Sequence, residues 1–165
     1  MSQEIIVPAD EESRGLLIDE LTANLQKWHL AIYAASPGLL EKLGFDQWGL
    51  QDMLAHLSGW NILTIDTLRD IRLGVPNIYW LPDEDIDQFN DTSVNARRGD
   101  SLDEVYTEFV TTSQALIDAY RKFPDEYWEV SFGPEENSTP ARGLAIDVVH
   151  FNEHYQEVFR ALVTG

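Results

Sequence analysis

The chain of 165 residues contains no cysteine. This absence excludes disulfide bonds, thiolate metal ligands and cysteine nucleophiles, because each of them needs the sulfur of that residue. A metal centre in this protein must therefore draw its ligands from histidine and carboxylate side chains. Domains without disulfides are typical of reducing compartments, and we predict a cytoplasmic location.

Long apolar runs and positive charges are also scarce. No stretch approaches the roughly 18 consecutive apolar residues of a membrane-spanning helix, and the polar, acidic first residues do not resemble a signal peptide. Acidic side chains outnumber basic ones by 29 to 11, which gives a net charge of −18. Such a surface repels nucleic-acid phosphates and anionic lipids. We therefore expect a small-molecule partner, with neither nucleic-acid nor membrane binding.

Apolar residues recur every three or four positions in four stretches, a period that predicts four amphipathic helices. Proline or glycine stands near an end of each stretch, and Ser101 and Glu104 form a capping box at the start of the third. The predicted helices run from about Glu11 to Ala35, from Gly49 to Leu73, from Ser101 to Phe123, and from Thr139 to the C-terminus.

This pattern predicts an all-α fold, an antiparallel four-helix bundle formed by residues 1–165 as a single domain. The connection from Gly74 to Asp100 is too long for a simple loop between helices, so we expect a crossover after helix two. A short extra helix is predicted within it, around Asp83–Ala96. A short run at Tyr127–Phe132 is the one segment with a strand-like pattern.

Three of the four histidines are candidate metal ligands. His150 and His154 lie four residues apart on helix four, a spacing that places both imidazoles on one face. His56 has an equivalent position at the edge of the apolar stripe of helix two. Three imidazoles suit zinc, nickel, iron or copper, and water or substrate would complete the coordination. The alternative is that all three are ordinary polar residues at a helix seam; His29, which lies off the apolar stripe of helix one, is predicted to have no ligand role.

The segments Trp48–Trp60, WGLQDMLAHLSGW, and Asp147–His154, DVVHFNEH, resemble two signatures of the DinB/YfiT-like superfamily of metalloenzymes. The resemblance covers nearly the whole chain and extends to two relatives, the mycothiol-dependent maleylpyruvate isomerase N-terminal domain and the ClbS/DfsB group. It implies a four-helix bundle, often dimeric, with one divalent metal held by His56, His150 and His154. Gly49 departs from the serine or threonine that usually precedes helix two in this family.

Other residues near the predicted site have candidate roles. A metal-bound histidine needs an acceptor for its second ring nitrogen, and Asp52 and Asp147 are the nearest carboxylates along the two helices. Tyr79 and Trp80 are candidates for a substrate wall, although packing of the long connection explains them equally well. His150–His154 also fits the inverted zincin pattern HxxEH with Glu153 as general base. No acidic ligand follows on a later element, which argues against a peptidase.

Three hypotheses about function remain open from the sequence: a metal-dependent enzyme, a sequestering protein, and a structural or interaction module whose histidines are ordinary seam residues. The leading hypothesis is a metal-dependent enzyme, a thiol-dependent transferase, an isomerase or a hydrolase acting on an electrophilic small molecule. In relatives the metal activates a low-molecular-weight thiol or a water molecule. The second hypothesis is a non-catalytic protein that sequesters a toxic small molecule or a metal in the same cleft.

Overall fold

The computed structural model describes residues 4–75, 81–133 and 138–165, and its secondary structure is mostly helical. The four predicted long helices are all present. The helices are α1 (Glu11–Ala34), α2 (Pro37–Leu40), α3 (Leu50–Leu73), α4 (Ile86–Asn95), α5 (Leu102–Arg121) and α6 (Pro140–Thr164), with two short strands, β1 (Gly44–Phe45) and β2 (Trp48–Gly49), and single 3-10 turns at Asp83–Asp85 and Asp125–Tyr127.

Side-chain and backbone caps explain where the long helices begin and end. The Ser101 Oγ accepts from the Glu104 N–H at 3.2 Å while the Ser101 N–H donates to the Glu104 carboxylate, which confirms the predicted capping box of α5. Thr139 caps α6, with proline at the first helical position as predicted. Gly74 ends α3 in the left-handed region, with φ of 66°, a conformation that glycine adopts without strain.

The most extensive contacts between the long helices in the described residues are those of α1 with α5, α1 with α6, α3 with α5, and α3 with α6. Trp28 lies at the centre of the core, fully buried, with its ring edge-on to Phe109 at 5.3 Å and to Tyr155 at 6.1 Å between centroids. Complete burial of one large apolar side chain contributes roughly 1.5–3 kcal/mol to folding. The core therefore ties α1, α5 and α6 together.

The connection after α3 contains the predicted extra helix, as a 3-10 turn followed by α4. It packs on α3, where Gly59 faces Ser93 so closely that an added Cβ would lie 2.7 Å from the Ser93 Cβ.

Tyr79 and Trp80, the predicted substrate wall, lie outside the described residues. The strand-like run at Tyr127–Phe132 is not a strand: it begins with the end of a 3-10 turn and continues without regular structure. Among the described residues, no helix has the length and apolar character needed to cross a membrane.

Candidate metal centre

The hairpin before α3 sets the position of the first predicted ligand. Strands β1 and β2 pair antiparallel across Asp46 and Gln47, and Asp46 takes the turn with a positive φ of 57°. The hairpin holds the Trp48 ring against His56, with 4.9 Å between ring centroids. His56 itself is 5 % exposed, which makes it the most buried of the predicted ligands.

His150 and His154 come from the facing surface of α6, one turn apart, and both are half-buried. The Nε2 of His150 lies 2.9 Å from the Nε2 of His56 and 3.0 Å from the Nε2 of His154. The structure therefore brings the three predicted histidines together, with one ring nitrogen of each within 4.8 Å of the others. His29 is exposed and remote from them, and its Nδ1 contacts the Tyr106 hydroxyl at 2.6 Å.

The electrostatic surroundings favour neutral imidazoles. Burial, assisted by the charge of His154, lowers the pKa of His56 to about 4, against a smaller opposing effect from Asn90. Burial, assisted by His154 and His56, lowers the pKa of His150 to about 3. At neutral pH both rings are therefore uncharged, which is the protonation state that a metal ligand requires.

The donor set fits a divalent transition metal. The Nε2 of a neutral imidazole carries either one hydrogen or one lone pair. The Nε2 of His150 therefore cannot form a normal hydrogen bond with both His56 and His154 at once. A single cation accepts all three lone pairs at once. The group can therefore bind a metal through three imidazoles.

The second ring nitrogens have different partners from those that the sequence suggested. His154 Nδ1 contacts the Glu157 carboxylate at 3.2 Å, an interaction within one turn of α6. His56 Nδ1 is buried and has no hydrogen-bond partner among the described residues. Spacing alone would have pointed to Glu157, because residues three apart on a helix face each other.

The two predicted acceptors, Asp52 and Asp147, have other hydrogen bonds. Asp52 accepts from the Gly49 N–H at 3.1 Å and so caps the first turn of α3. Asp147 accepts from the Tyr120 hydroxyl at 2.6 Å, across to α5. Neither carboxylate has a hydrogen bond to a histidine in the described part of the chain.

In the described part of the chain, two cavities border the histidines. A cleft of about 590 Å³ includes His154, and its charged side chains are all acidic, namely Asp46, Asp87, Asp91 and Glu157. A second cavity, of about 340 Å³, is lined by His56 and His150 together with Trp60, Asn90, Ile146, Asp147 and Glu153. Asn90 is held there by its Oδ1, which accepts from the Trp60 indole N–H at 2.9 Å. Both cavities therefore leave room for water or substrate beside the imidazoles.

The comparisons with known proteins add no relative: no family model, no curated protein and no solved structure matches this chain. The case for function therefore depends on the geometry of the site.

Proposed function

We propose that this protein is a divalent-metal-dependent enzyme that acts on an electrophilic small molecule. The convergence of three imidazoles, those of His56, His150 and His154, is the observation that carries the proposal. The two cavities that border them support catalysis, because a catalytic metal keeps a coordination position for water or substrate whereas a structural metal site is closed.

A bound zinc, nickel or iron ion would lower the pKa of a coordinated water or thiol and so provide a nucleophile at neutral pH. The residues around it have simpler tasks. Burial keeps His56 and His150 uncharged, and the Glu157 carboxylate orients the His154 ring from its Nδ1 side. The acidic lining of the cleft repels anionic thiols, so it favours water, or an uncharged thiol, as the nucleophile.

We also propose that the four long helices form an antiparallel four-helix bundle of the DinB/YfiT-like kind. The pairwise contacts of α1 and α3 with both α5 and α6 support this arrangement. In this family the metal would lie between the helices that carry His56 and the HxxxH pair, which here are α3 and α6.

A hydrolysis assay tests the enzymatic proposal. Zinc-loaded protein, purified without a histidine tag, is incubated with 4-nitrophenyl acetate, alone and with 2-mercaptoethanol or glutathione. We expect a metal-dependent turnover that falls by about 100-fold or more in His154→Ala, since a ligand of the activating metal is lost. His29→Ala is the matched control and should retain full turnover. Metal binding without any metal-dependent turnover would contradict catalysis and support the sequestering alternative.

A further inference from the structure

A third cavity, of about 240 Å³, lies between α3 and α6. Its walls are almost entirely apolar, which is typical of a small-molecule site. It shares Trp60, Ile86, Ile146 and Asp147 with the cavity that contains His56 and His150, so the two adjoin. The apolar side chains that line it include Leu63, Leu68, Leu81, Ile86, Phe132 and Ile146.

The acidic residue that lines this cavity, Asp147, is hydrogen-bonded to Tyr120. Tyr120 is 1 % exposed and donates its hydroxyl hydrogen to the Asp147 Oδ2. Asp147 keeps partial exposure because it lines both adjoining cavities. Within the described ranges, the Tyr120 hydroxyl is the one hydrogen-bond donor to this carboxyl, and no lysine or arginine forms an ion pair with it.

A carboxyl in such surroundings is incompletely satisfied. Two carboxylate oxygens offer about four acceptor positions, of which Tyr120 fills one. Enclosure in an apolar cavity penalises the charged form, and burial raises the pKa of Asp147 to about 7, against a smaller opposing effect of the Tyr120 hydroxyl. A cation that entered the cavity would supply both the missing hydrogen bonds and the missing counter-charge.

We propose that this cavity binds a small apolar molecule with one ammonium group, placing the ammonium on Asp147 and the apolar body between α3 and α6. Asp147 also lines the adjoining cavity that contains His56 and His150, so a molecule held on Asp147 lies next to the candidate metal centre. The net charge of −18 favours the approach of a cation and disfavours that of an anion. That this molecule is the substrate depends on the proposed function; its binding in the cavity does not.

Three probes of similar shape and different charge test the inference by calorimetry: 2-phenylethylamine, 2-phenylethanol and 3-phenylpropanoate. We expect the amine to bind about tenfold more tightly than the alcohol, and the carboxylate not to bind measurably, because a charge-assisted hydrogen bond to Asp147 is worth about that factor. Each titration is made on metal-free and on zinc-loaded protein. Equal affinities for amine and alcohol would overturn the proposal.

Matched variants locate the ammonium. Asp147→Asn keeps the shape of the side chain and should abolish the preference for amine over alcohol. Asp91→Asn in the acidic cleft makes the same change in net charge and should leave that preference unchanged. The opposite result would place the ammonium in the cleft and overturn the proposal.

Gly143→Ala adds a methyl group 3.7 Å from the Tyr120 hydroxyl, within ordinary contact distance, so the helix tolerates it. This variant should keep its melting temperature yet bind the amine several-fold more weakly, and undiminished binding would count against the cavity.

The two proposals fail in different ways. Amine binding by metal-free protein that takes up no zinc would support this inference and contradict the metal centre. Zinc uptake without any selectivity for the amine would support the metal centre and contradict this inference.

Discussion

Asp147 is an aspartate whose hydrogen-bond partner, the Tyr120 hydroxyl, comes from a different long helix. From the sequence it was a candidate acceptor for a histidine, because it lies three residues before His150. Sequence distance along one helix identifies neighbours on that helix only, and the contact to α5 depends on how the helices pack. Asp52, the acceptor predicted for His56, instead accepts from the Gly49 N–H in the first turn of its own helix.

Substitution of Asp147 by asparagine should change the pH dependence of stability. The folded carboxyl has its pKa raised from 3.8 to about 7, so the folded state retains a proton that the unfolded chain releases above about pH 4. The contribution of this group to stability is thus complete below about pH 4 and is lost as the pH rises through 7. Relative to wild type, Asp147→Asn should gain on the order of 2–4 kcal/mol in unfolding free energy between pH 4 and pH 8.

Urea unfolding of both proteins across this pH range provides the measurement, and all other titrating groups cancel in the difference. Tyr120→Phe is the companion variant. Its free energy of unfolding should be lower than that of wild type by about 1–3 kcal/mol at neutral pH, because the carboxyl is then left without its hydrogen-bond donor. A free-energy difference between Asp147→Asn and wild type that does not vary with pH would show that the carboxyl is ordinarily solvated.

At the scale of helices, the contact between α3 and α4 has a close approach at Gly59. An added Cβ would meet the Ser93 Oγ at 2.3 Å and the Ser93 Cβ at 2.7 Å, so α4 must move to make room. The movement matters for the site, because α4 carries Asn90, which bonds Trp60 and lines both cavities that border the histidines.

Gly59→Ala should therefore destabilise the protein by about 1–3 kcal/mol, the usual cost of overpacking, despite the better helix propensity of alanine. Gly15→Ala in α1 is the matched control, since an added Cβ there meets nothing within 4 Å. That control should be neutral or stabilising by about 0.5–1 kcal/mol. Thermal unfolding of both variants checks the pair, and equal effects would show that α4 does not pack tightly on α3.

The long helices could be predicted from the sequence because their signals are local. The apolar period sets each helix, and caps such as Ser101 with Glu104, or Gly74, mark the ends within a residue or two. Helix α2 and the hairpin at Gly44–Gly49 were not predicted. Elements of two to four residues have no period to read, and their conformation depends on packing against the rest of the chain.

The three-histidine group was also predictable, since it needed the HxxxH spacing on α6 and the resemblance around His56. The hydrogen-bond partners of those histidines could not be predicted in the same way. Glu157 was not predicted as a partner of a histidine, although it contacts His154 Nδ1. The link between Tyr120 and Asp147 joins residues 27 apart on different helices, and no sequence pattern signals a contact of that kind.

For the whole molecule, the histidine group joins helices that are distant in the sequence. His56 and His150 are 94 residues apart, and the residues between them in the sequence include all of α4 and α5. A ligand that binds the folded state and not the unfolded chain stabilises the fold by mass action, by about 2.7 kcal/mol at a concentration 100 times its Kd. A metal held by α3 and α6 together must therefore stabilise the entire protein, beyond its local effect on three side chains.

Metal content and melting temperature, measured together on protein purified without a histidine tag, test the central claim most directly. We predict about one zinc or nickel ion per chain and a melting temperature that rises on metal addition. His56→Ala should abolish both, whereas His29→Ala should retain both. Protein that takes up no metal, or whose melting temperature is unchanged by zinc and nickel, would contradict the three-histidine metal centre.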